Sequence, residues 1–123
     1  RRVLFRSVLV LAAYGLPTIH STSYVELYLL PDRVEKHQTK VHYSNSNPFF
    51  NEEFVFDIAF SELAERTLQC CVFSYDGFSR HQSLGEVFYS FGENDHLSEY
   101  GGVALCKEIM RDASLLKVRC SFC

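Results

Sequence analysis

The chain contains no tryptophan, and no apolar run in it approaches the ~20 residues of a bilayer-spanning helix. It has no glycine-rich loop of the kind that cradles phosphate, no internal repeat and no low-complexity segment. It also lacks an excess of base. Twelve Lys and Arg stand against 15 Asp and Glu, for a formal charge of −3. The balance is more acidic still when Arg1, Arg2 and Arg6 are set aside. Duplex nucleic acid is thereby excluded as a partner, because phosphate binding needs a basic face. A purely electrostatic membrane anchor is excluded for the same reason. The five cysteines are odd in number, and Cys70 and Cys71 are adjacent within one apolar stretch. That is reduced cytosolic usage rather than a disulfide framework. The apolar stretch Val8–Tyr14 behind Arg1 and Arg2 could begin a secretory signal. The Leu16-Pro17 pair and the strands that follow account for it better.

What remains is the material of one globular domain: 123 residues, 47% hydrophobic and 22% charged. Eleven Phe and seven Tyr favour sheet over helix. Val8–Ala13 is a continuous apolar run closed by Gly15 and Pro17, as in a buried strand. In Tyr24–Leu30, Val25, Leu27 and Leu29 take one face, and Tyr24, Glu26 and Tyr28 the other. Pro31-Asp32 supplies turn chemistry. His37–Tyr43 alternates next, with Thr39, Val41 and Tyr43 on one face and Lys36, Gln38 and Lys40 on the other. Phe54, Phe56, Ile58 and Phe60 recur with period two, the clearest strand signal of all. Ser61–Arg66 predicts one helical turn. Leu68, Cys70 and Val72 share a strand face, Gly77 and Gly85 bracket a loop, and Glu86–Phe91 is a further strand. Val103–Met110 fits a strand or a short helix, and Ser114–Cys123 shows no firm pattern. Strands every 10–15 residues with no long helix between them predict an all-β antiparallel sandwich.

Five stretches, Tyr24–Asp32 (YVELYLLPD), Gln38–His42 (QTKVH), Asn47–Phe56 (NPFFNEEFVF), Ser61–Leu63 and Asp76–Glu86 (DGFSRHQSLGE), resemble the synaptotagmin C2 family in order and spacing. LLPD and QTKVH are similar to a first C2 domain rather than a second. The resemblance implies an eight-stranded antiparallel Greek-key β-sandwich with three functional loops at one end. Residues 1–7 (RRVLFRS) resemble a translated sequencing adapter instead. The expected organisation is therefore a non-native segment 1–7, a C2 domain over 8–112 lacking its first strand, and an undefined segment 113–123. A missing strand predicts unpaired backbone at a sheet edge and lowered stability.

The family's calcium-ligand positions match His20, Thr22, Ser74, Asp76 and Gln82, and only Asp76 is a carboxylate. Calcium wants six to eight oxygens, and its affinity follows the ligand charge. Calcium binding is therefore expected to be lost or very weak, and no other cofactor is implied. Period two places Ser74 and Asp76 on one side of a strand, aimed at one site. In the family, the residues matching Phe78, Arg80 and His81 contact membrane. Those matching Arg33, Lys36 and Lys40 hold anionic lipid, although Val34 and Glu35 interrupt them here.

Other constellations fail. Cys120 and Cys123 lack a second pair to complete a zinc site. Asp76, Ser79 and His81 have no oxyanion-hole motif or nucleophile elbow. His37 and His42 fall on opposite faces of one strand. No enzyme and no small-molecule substrate is implied. The resemblance implies a calcium-independent adaptor in vesicle docking or exocytosis, meeting SNARE proteins or a neighbouring C2 domain. A calcium-independent domain for phospholipid or phosphoinositide is the alternative, and a calcium-dependent sensor is the reading the ligand positions favour least. Either way the chain would be part of a longer anchored protein at the cytoplasmic face of a vesicle or plasma membrane.

Overall fold

A computed structural model describes residues 4–17, 21–59, 62, 65–78, 80–90, 102–109 and 114–122. Eight strands follow in order: β1 (Leu4–Tyr14), β2 (Ser23–Leu30), β3 (Val34–Gln38), β4 (Phe49–Ala59), β5 (Thr67–Tyr75), β6 (His81–Ser90), β7 (Gly102–Glu108) and β8 (Leu115–Phe122). They form two four-stranded antiparallel sheets, β4-β1-β8-β7 and β3-β2-β5-β6. Of the helical turn expected over 61–66, residues 62, 65 and 66 are described, and 62 and 65 have 3-10 conformation.

The core follows from period two. Val25, Leu27 and Leu29 of β2, and Leu68, Cys70 and Val72 of β5, point inward and are buried. Facing them are Val8 and Val10 of β1, Phe50 and Phe56 of β4, and Leu116 and Val118 of β8. β1 keeps its inward phase only to Val10. A register shift between Val10 and Ala12 then turns Ala13 and Leu16 into the core. One extra residue in a strand reverses the side chains beyond it, so the bulge extends the apolar face into the loop.

Several expectations are corrected. The open edge predicted beside Val8 is closed, because β8 pairs with β1 from Phe5↔Phe122 to Tyr14↔Leu115. Segment 113–123, patternless in the sequence, thus supplies an interior strand between β1 and β7. β1 also runs back into segment 1–7, where the buried Ser7 hydroxyl donates to Glu53 Oε2 at 2.8 Å. The loop expected from Gly77 to Gly85 stops sooner, since β6 begins at His81. Gly85 sits instead at a bulge, where Val72 pairs with Gly85 and Phe73 with Ser83. A Cβ at Gly85 would lie 2.2 Å from the carbonyl oxygen of Ile109, so only glycine lets that backbone approach.

The strand expected over His37–Tyr43 ends at Gln38. Thr39 ends it by accepting the Val25 N–H on its hydroxyl at 2.9 Å, while its own N–H goes to the Val25 carbonyl. Because the strand stops there, His37 and His42 are not on opposite faces. Both turn toward β4, His37 against Phe54 and Phe56, and His42 against Phe50.

The chain reverses at every connection, so one pole of the sandwich gathers the described parts of the β1–β2, β3–β4, β5–β6 and β7–β8 connections. The start of β1 and the end of β8 lie together at the other pole.

Candidate functional site

The loop pole is held together by backbone N–H groups that donate to carbonyl and side-chain oxygens. The Gly15 N–H donates to Asn47 Oδ1 at 3.0 Å, and the Leu16 N–H to the Ser46 carbonyl at 2.9 Å. The Asn45 N–H reaches the Ser21 carbonyl at 3.1 Å. Thr22 makes two further links: its carbonyl accepts from Tyr75 N–H at 2.9 Å, and its hydroxyl from Ser44 N–H at 3.0 Å. On either side, Ser23 bridges to His42 and pairs with Ser74.

Asp76 organises the next loop. Its Oδ1 accepts the N–H of Phe78 at 2.9 Å and of Arg80 at 3.3 Å, an Asp-led turn of a familiar kind. The Phe78 N–H holds the Asp76 carboxyl below the usual carboxylate range, since a hydrogen bond to the charged form favours it. The Asp76 N–H returns to the Arg80 carbonyl, and the Tyr75 hydroxyl donates to the Phe78 carbonyl. Phe78 is left 87% exposed, with the exposed Arg80 two residues on.

The sequence-predicted residues divide. Thr22, Ser74, Asp76 and Gln82 do meet at this pole, and Ser74 pairs across the ladder with Gln82. His20 lies outside the described residues. Ser74 and Asp76 do not aim at one site, however. Ser74 is buried inside β5, whereas Asp76 lies beyond the strand end in solvent. Calcium is implied by the resemblance, and these donors do not fit it. The single carboxylate is engaged by its own loop, and the Thr22 hydroxyl already accepts from Ser44. His81, expected at the membrane, shares a 2.7 Å hydrogen bond between Nδ1 and the Tyr24 hydroxyl and stacks on Tyr75. The exposed His81 ring thereby also braces the loop.

The basic strip is divided as well. Lys36 pairs with Glu26 at 3.3 Å, and Glu26 also accepts from the Tyr28 hydroxyl. The carboxylate raises the Lys36 pKa and, through that hydrogen bond, the Tyr28 pKa. The Arg33 guanidinium lies 4.2 Å over the Tyr28 ring. Lys40 is exposed, beyond the end of β3. The three cations therefore do not form one free patch. Sequence reasoning missed Tyr43, 68% exposed among turn residues, and the Thr22–Ser44 link beside it. A large aromatic inside a polar turn cluster was the available signal.

A profile of the C2 domain family matches residues 6–104. The chain belongs to that family. Its sequence is 41% identical over 93 residues to synaptotagmin-1 of Caenorhabditis elegans, covering 72% of this chain and 21% of the relative. It is 48% identical over 84 residues to mouse synaptotagmin-3, covering 65% of this chain and 14% of the relative. The chain thus spans about a fifth or less of such relatives. Among solved structures, a C2 domain of a plant extended synaptotagmin 1 superposes with a TM-score of 0.82 at 22% identity. That match covers 99% of this chain and 95% of the other. Human GIVD cytosolic phospholipase A2 gives the same TM-score, with this chain covering 15% of the enzyme. The chain is thus a C2 domain homologous to those of synaptotagmins.

Proposed function

We propose that this C2 domain docks on anionic membrane without calcium, as part of a vesicle-docking or exocytosis protein at the cytoplasmic face of a vesicle or plasma membrane. The observation that carries the reading is the Asp76 turn. A carboxylate that could have waited for a cation is committed to the N–H groups of Phe78 and Arg80, and it holds Phe78 out of the protein. An aromatic ring so exposed at a loop tip, beside an exposed arginine, suits the lipid–water interface. The test is co-sedimentation with vesicles of phosphatidylserine and phosphoinositide, in calcium or in chelator. Equal binding in both, lost in Phe78→Ala, is expected. Binding that rises steeply with calcium overturns the proposal.

A second reading is the adaptor role, and it uses a different surface. On the outer face of β3-β2-β5-β6, Lys36 is neutralised by Glu26, and Phe88 stands half-exposed. That face is poor for anionic lipid and better suited to protein, such as a SNARE or a neighbouring C2 domain. Combining Phe78→Ala with Lys40→Ala would leave such partner binding intact, whereas Phe88→Ala would weaken it.

A further inference from the structure

We infer that the lipid-facing rim has two aromatic prongs, Phe78 and Tyr43, and that Thr22 fixes their spacing. The inference rests on the membrane reading above and adds a residue and a brace to it.

Tyr43 follows His42, which bridges to Ser23 on one side of β2. Tyr75, which leads into the Phe78 loop, follows Ser74, which pairs with Ser23 on the other side. His42 and Ser74 therefore flank Ser23, and their backbones stand roughly 10 Å apart, two inter-strand spacings. The two aromatic loops thus rise from adjacent positions on one pole. Tyr43 lies between anchored neighbours, His42 before it and Ser44 after it. The next residue, Ser44, has a φ of 49°, an uncommon conformation for a residue other than glycine. Its N–H is fixed on the Thr22 hydroxyl, and the Asn45 N–H is fixed on the Ser21 carbonyl. Thr22 is therefore a joint: its hydroxyl holds the Tyr43 loop and its carbonyl holds the Phe78 loop at Tyr75.

Chemistry selects a lipid surface as the occupant. A phenol is amphipathic, with an apolar ring and a hydroxyl that stays wet, and it suits the depth of the headgroups. Lys40 and Arg80 are exposed, three and two residues from the prongs, and the Asp76 carboxylate accepts N–H groups of its own loop. The rim therefore presents cations and aromatics together, the combination an anionic bilayer interface attracts.

The absence of tryptophan makes the test direct. Tyr43→Trp and Phe78→Trp each place a single indole on a rim, in the full chain. Vesicles of phosphatidylserine and phosphatidylcholine, and of phosphatidylcholine alone, are added in chelator, with brominated lipid as quencher. Both variants should blue-shift and be quenched on anionic vesicles, and Tyr43→Ala should weaken binding by about tenfold. Thr22→Val, which keeps shape but removes the acceptor, should lower affinity while Thr22→Ser restores it, with unchanged thermal melts. If only the indole at position 78 responds, the second prong is refuted and the membrane reading stands. If neither responds, both fall. If Thr22→Val binds like the parent, Thr22 is not the joint.

Discussion

Replacing Leu116 by alanine tests whether the C-terminal strand belongs to the core. Leu116 is 1% exposed, pairs with Ala13 of β1 and Lys107 of β7, and packs in the same cluster as Val8 and Leu27. Truncating a fully buried leucine removes its transfer energy and leaves a cavity, at a cost of about 2–5 kcal/mol. A domain of this size has a total stability of roughly 5–15 kcal/mol, so the loss is a large fraction of it. With a urea slope of about 1–3 kcal/mol per molar, the unfolding midpoint should fall by roughly 1–3 M. Far-ultraviolet circular dichroism across a urea series reads this directly. Val55→Ala is the control: Val55 is 62% exposed on β4, and its loss should stay within about 0.5 kcal/mol. If Leu116→Ala is as mild as Val55→Ala, β8 does not lie between β1 and β7, and the predicted open edge returns.

Gly85→Ala and Gly77→Ala should separate two roles of glycine. The first drives a methyl into the Ile109 carbonyl and should lower the melting temperature by about 5 °C or more, whereas the second meets open space at a φ of 89° and should cost only about 1 kcal/mol. Burial raises the Cys71 thiol from 9.0 to about 11, so native Cys71 should resist alkylation at pH 8 and react only as the pH approaches 11. The fold favours the neutral thiol, so this group's contribution to stability is complete below pH 9 and is lost as pH rises through about 11. Peptide mapping after alkylation in native and denaturing buffer gives the comparison, and modification of native Cys71 at pH 8 would refute it.

The strands of the sandwich were legible wherever inward and outward residues alternate, as in β2 and β5. β8 was not, although Leu116 and Val118 prove to be its buried residues. Its partner β1 lies about a hundred residues away, and nothing local marks the pairing. The end of β3 was hidden for a different reason. Thr39 leaves the ladder by substituting its hydroxyl for a backbone acceptor, and alternation continues past it in the sequence without meaning. At the site, residue types showed that carboxylates are few. They could not show that the Thr22 hydroxyl is occupied by the Ser44 N–H, because that contact depends on how two loops converge. The Glu26–Lys36 pair was similarly invisible, since it joins neighbours across two strands rather than along one.

The pairing of Phe5 with Phe122 also sets a distance. Any chain leading into β1 or out of β8 leaves from the pole opposite the aromatic rim. An 11-residue strand such as β1 spans roughly 35 Å at about 3.3 Å per residue. A tether joined at either side therefore acts as a standoff, holding Phe78 and Tyr43 roughly that far from the point of attachment. The rim can then address a surface other than the one the tether is rooted in, and the neighbouring chain can change in length without touching the loops.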